Sequence, residues 1–145
     1  MKKRISLILK EANEFKVVNE RVAHLLKHDN IVLQGVIKVL CDPEIKLDLP
    51  DSIPPYKPNE KLAPELEERL YADWRKMYLF FKESSPTITD KKREMLFIEY
   101  LEGLHPQDAE VVASFLTKKS PYHLINITVA RKAYPALFPN DTVEN

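Results

Sequence analysis

Lysine and arginine cluster at three places in this chain, and these are the residues best suited to chemistry with a charged partner. Lys118 and Lys119 precede Arg131 and Lys132, with His123 and Asn126 between them. Lys91, Lys92 and Arg93 form a second cluster, and Lys2, Lys3 and Arg4 a third. Cations grouped this closely can neutralise phosphates and release counterions, and helix ends can add backbone amides to the contact. The same side chains can also form a solvated surface, with Lys118 and Lys119 complementing the C-terminal end of a helix. Formal net charge is zero, from 22 basic and 22 acidic side chains. Any nucleic-acid role must therefore come from a local patch.

Other chemistries find less support. His24 and His28 stand four apart, a spacing that can chelate one ion from one helix face. No third ligand is specified, and Leu25 and Leu26 share the segment. Both are read as solvated or helix-end histidines, and no metal site is expected. His105 and His123 are single histidines in turns. Gly35 and Gly103 are isolated, so no phosphate-cradling glycine loop is formed, and Gly-x-Ser-x-Gly does not occur. Glu65, Glu67 and Glu68 read as a solvated helix start rather than an acid/base pair. Cys41 is the single cysteine, which rules out an internal disulfide and fits a reducing cytoplasm. No low-charge apolar run approaches a membrane span. The basic N-terminal stretch lacks a small-residue cleavage site, so no secretory signal is expected. No catalytic residue and no cofactor is expected.

The elements that must position these residues are helical. The chain has 11 prolines and two glycines, too little glycine for a protein built on tight hairpins. Helical spacing recurs instead. The expected fold is all-α: one domain over residues 1–139, six or seven helices, a Pro-rich loop over 43–64 and a polar tail over 140–145. Ile5, Ile8, Leu9, Ala12 and Phe15 share one helical face. Val22, Leu25 and Leu26 make a second stripe, capped by Asn19. Asp29 or Asn30 caps a third helix through Leu40, apolar nearly all round and hence buried, although its β-branched residues also permit a strand. The loop is expected to wrap the domain on Ile45, Leu47, Leu49, Ile53 and Tyr56; the alternative is a flexible linker between two subdomains. Glu65 to Lys82 is expected to be the longest helix, with Leu66, Leu70, Trp74, Met77, Tyr78 and Phe81 facing the core. Thr87 or Thr89 caps a helix to Gly103. His105-Pro106 opens another to about Lys119, and the last spans Tyr122 to Tyr134.

Three stretches then combine into a recognisable order. Leu33 to Pro50 is a buried helix followed by a short aliphatic run. Met95 to Val112 reads as a helix, a short turn and an acidic helix start. Val129 to Pro139 ends a helix in the aromatic-proline exit Tyr134-Pro135. With gaps, from about Val32 to Asp141, this pattern resembles the N-terminal helical DNA-binding domain of the ATP-dependent DNA ligases of tailed phages. The resemblance implies a domain that binds duplex or nicked DNA mainly by phosphate contacts, through Lys118, Lys119, His123, Asn126, Arg131 and Lys132, with Lys91, Lys92 and Arg93 as a second surface. It also implies a phage protein acting in the host cytoplasm. The ligase pattern carries a glycine between its last two helices, where this chain has Lys119, Ser120, Pro121 and Tyr122. The ligase nucleophile motif Lys-x-Asp-Gly does not occur; Lys46-Leu47-Asp48-Leu49 is the nearest string. No adenylation module fits after Pro139, so a non-catalytic accessory protein is expected. The rival expectation is a protein-interaction module on the same scaffold, contacting a phage replication or virion component.

Overall fold

Ile5, Ile8, Leu9 and Ala12 recur at helical spacing, and all four are buried along one face of α1 (Ile5–Glu14). The same logic builds most of the molecule. The computed structural model describes residues 2–61, 63–81 and 87–139. Among them lie seven α-helices: α1, α2 (Val18–Lys27), α3 (Ile31–Cys41), α4 (Arg69–Asp73), α5 (Asp90–Glu102), α6 (Pro106–Ala113) and α7 (Ile127–Ala133). The all-α expectation holds. One buried apolar cluster takes side chains from every one of these helices, from Ile5 to Phe138. The expected tail over 140–145 lies outside the described residues.

Helix α2 packs on α1 and α7, and α6 packs on α1 and α5. Asn19 lies inside α2, not at its cap, which is Val17. Leu26 faces solvent; Arg21 is the buried neighbour of Leu25. Its guanidinium donates to the carbonyls of Phe15 and Lys16 at 2.8 and 3.1 Å. Those carbonyls lie just past the end of α1, which has no basic residue in its own last turn, so a cation from the next helix satisfies the turn. Asn30 caps α3 by accepting from the Leu33 amide at 2.8 Å. The β-branched run of α3 is helical and buried at Leu33, Val36, Ile37, Val39 and Leu40. Ile31, at 80% exposure, is the exception.

The segment after the Pro-rich loop departs from the expected long helix. It is a 3₁₀ turn over Pro64–Glu68, then α4, then a second 3₁₀ stretch over Trp74–Phe80. Three residues per turn put Trp74, Met77 and Phe80 on one line. Phe80 is therefore buried, and Tyr78 is 54% exposed. The Phe80 ring stands edge-on to Phe97 and Tyr100. The loop closes onto this segment through an antiparallel bridge between Leu47 and Phe81, and the Asp48 amide donates to the Phe80 carbonyl at 2.7 Å. Leu47 is buried, and Ile45, Leu49 and Tyr56 pack against the core. Ile53 is exposed and anchors nothing.

The two C-terminal helices are shorter than expected. Helix α6 ends at Ala113, where the Ser114 hydroxyl donates to the Val111 carbonyl at 2.6 Å, a local bond that competes with the helical ladder. Helix α7 begins only at Ile127, where the Asn126 side chain caps it by accepting from the Val129 amide at 3.1 Å.

Gly35 gives one stability prediction. A Cβ there would lie 2.6 Å from Cζ2 of Trp74, and the indole is itself edge-on to Phe115. Gly35→Ala should lower stability by about 1–3 kcal/mol despite alanine's better helix propensity. Chemical denaturation measures this; an unchanged or raised midpoint would show that the indole moves aside freely.

Candidate nucleic-acid interface

The turn joining α6 to α7 positions the first basic cluster. Lys118 sits there at φ 59°, the left-handed conformation that glycine ordinarily supplies. Its amide donates to the Ser114 carbonyl at 2.7 Å, closing the end of the α6 segment. Lys118, Lys119, His123 and Asn126 line one groove of about 380 Å3 together with Leu40 and Cys41. Lys119 and His123 are exposed. The Asn126 side chain is engaged in capping α7. Arg131 and Lys132 are exposed on the last turn of α7 and do not line this groove.

Lys118 is the correction within this cluster. Its side chain is half-buried, not solvated, and its ammonium donates to the Val39 carbonyl. Burial lowers its pKa, the Asp42 carboxylate opposes that change and Lys46 adds to it. The Cys41 thiol, on the same groove, is pushed up to about 12 by burial and is no thiolate at neutral pH.

Lys46 is the residue that sequence reasoning missed. It is exposed and lines a second hollow, of about 330 Å3, together with Lys118 and Lys119. A third hollow, of about 640 Å3, shares Lys46, Leu47, Leu49 and Asp51 with the second and reaches Lys91. The three hollows thus run in series from His123 past Lys119 and Lys46 to Lys91, linking two clusters that are remote in sequence. The signal available was Leu47: a loop residue anchored in the core fixes its neighbour at the surface. Asp48, Asp51, Asp90 and Glu94 border the same track.

Arg93 and the N-terminal cluster are engaged within the molecule. Arg93 is 4% exposed. It donates to Asp90 at 3.0 Å and to the Ile88 carbonyl at 3.2 Å, with Asp48 at 3.4 Å. It holds the start of α5 to the loop, so only Lys91 and Lys92 of that cluster face solvent. Arg4 grips both carboxylate oxygens of Glu67 and the side chains of Gln107 and Ser6. Lys3 pairs with Glu11, and the Lys2 ammonium lies over the Tyr71 ring. His105 caps α6, its Nδ1 accepting from the Gln107 amide at 3.1 Å. His24 and His28 are helix-end residues, one in the last turn of α2 and the other its C-cap. They are half-buried rather than solvated, and Glu11 of α1 meets them as the third group that the sequence leaves unspecified.

The fold is an all-helical domain with a mixed but lysine-bearing track. Residues 8–120 match a family of unknown function, DUF6433, and the chain belongs to that family. The matched span takes in Lys46, Lys91, Lys118 and Lys119 and stops before α7. No curated protein and no solved structure matches. Among the described residues, no helix is long and apolar enough to cross a membrane.

Proposed function

We propose that the chain is a non-catalytic accessory protein, of a kind used by tailed phages, that binds duplex or nicked DNA mainly through phosphate contacts. The observation that carries this reading is the series of hollows joining His123, Lys119, Lys46 and Lys91. Exposed lysines along a groove follow a phosphate backbone as point charges and read no base sequence. The ligase resemblance supports the same surface, and the left-handed Lys118 provides at this turn the backbone conformation that a glycine would. No covalent step is assigned, since the Lys-x-Asp-Gly motif does not occur in the sequence.

The second reading is a protein-interaction module. It is favoured by the carboxylates of Asp48, Asp51, Asp90 and Glu94 along the track and by the exposed Ile31. Binding of labelled nicked and intact duplexes at low salt separates the two. The Lys46→Ala, Lys91→Ala, Lys119→Ala triple variant should bind about tenfold more weakly or worse. Its melting temperature should stay unchanged, because all three side chains are exposed. Equal binding by the triple variant would remove DNA from this surface and leave the protein-interaction reading.

A further inference from the structure

Glu11, His24 and His28 converge where α1 packs on α2. His24 lies in the last turn of α2 and His28, four residues on, is its C-cap, so their rings meet, with centroids 4.7 Å apart. Glu11 comes from α1, its Oε1 lying 3.0 Å from Nε2 of His24. One donor atom from each of the three lies within 4.8 Å of the other two, and all three side chains are half-buried. Nε2 of His28 is buried and has no hydrogen-bond partner among the described residues. Arg21, on the same helix as His24, donates to the Phe15 and Lys16 carbonyls and fixes the turn that brings α1 and α2 together.

From this geometry we propose that Glu11, His24 and His28 form a binding site for one divalent first-row transition cation, with zinc as its representative. Two imidazoles and one carboxylate are a donor set these ions accept. Bond lengths of about 2.0–2.2 Å require the three side chains to draw in slightly around a common centre. The ion would give the buried His28 nitrogen its missing partner and would clip α1 to α2. Three protein donors leave a fourth position for water or a ligand. Lys3 opposes binding, since its ammonium lies 2.8 Å from the Glu11 carboxylate and repels a cation placed there.

The test uses the full chain without a histidine tag, stripped of metal with a chelator. Titration calorimetry with zinc should show one ion per chain, and saturating zinc should raise the melting temperature by roughly 5–10 °C. Cobalt substituted for zinc should give the visible absorption of a low-coordinate nitrogen and oxygen site. The His24→Gln, His28→Gln double variant should lose both signals, and His123→Gln should retain them. Lys3→Met, which leaves all three donors in place, should tighten zinc binding about tenfold. It keeps the proposal decidable even if the double variant fails to fold. Absence of zinc binding by the wild type, retention by a folded double variant, or unchanged affinity in Lys3→Met would each overturn the site.

Discussion

Phe80→Ala should lower the stability of the protein by about 3–5 kcal/mol, whereas Tyr78→Ala should change it by no more than about 0.5 kcal/mol. The contrast follows from the winding of Trp74–Phe80. As a 3₁₀ stretch it turns every three residues, so Trp74, Met77 and Phe80 point inward and Tyr78 points out. Phe80 is 1% exposed, and its ring meets the edges or faces of Phe97 and Tyr100 at centroid distances of 5.1 and 5.7 Å. Truncation removes the buried ring and both aromatic contacts, and leaves a cavity that the bridged loop and α5 would have to close. Urea denaturation of the two variants measures the difference. A large loss for Tyr78→Ala with little loss for Phe80→Ala would restore the α-helical stripe and contradict the 3₁₀ winding.

Asp108→Asn should make the protein more stable at neutral pH and remove part of its pH dependence. Asp108 is 1% exposed on α6. Its Oδ1 accepts from the Ser6 amide at 2.9 Å, so it caps the start of α1, where the N-cap residue Arg4 offers no side-chain cap. The other oxygen, Oδ2, is buried without a partner. Burial pushes the carboxyl up to about 6 from an ordinary 3.8, although the Ser6 hydrogen bonds and Arg4 pull the other way. The folded state therefore holds a proton between those values that the unfolded state releases. The contribution of Asp108 to stability is greatest below about pH 4, falls as pH rises through the window, and levels off above about pH 6. The gap corresponds to at most about 3 kcal/mol. Asparagine keeps the acceptor for Ser6 and removes the charge. The variant should gain about 1–3 kcal/mol over wild type near pH 8, with the gain shrinking towards pH 4. A difference between the two proteins that does not vary with pH would show that Asp108 titrates normally in the fold.

Local pattern was enough to read the α1 face from Ile5 to Ala12, most of the buried α3, and the loop anchor Leu47, and it narrowed two caps to a pair of candidates each, of which Asn30 and Thr89 cap. Phe15, the C-cap of α1, is exposed instead of continuing the face. Other features depend on partners remote in sequence. Arg93 looks like one of three surface cations until Asp48, brought alongside by the Leu47 bridge, meets it. Lys118 turns inward because the Val39 carbonyl in the last turn of α3 accepts a hydrogen bond from its ammonium. Glu11 joins the histidine pair only through the packing of α1 on α2. The 3₁₀ winding escaped for a different reason. Periods of 3.0 and 3.6 residues part by about one residue over two turns, but the aromatic-rich run from Trp74 to Phe81 offers an apolar side chain to either pattern.

Affinity for nicked duplex DNA as a function of salt tests the DNA-binding proposal most directly. If Lys46, Lys91 and Lys119 each neutralise one phosphate, log K should fall against log salt with a slope of about −2.7, from roughly 0.9 per contact. The slope should be the same for duplexes of unrelated sequence and should approach zero in the triple alanine variant. No binding by the wild type at low salt, or binding that does not weaken as salt rises, would contradict a phosphate-gripping surface.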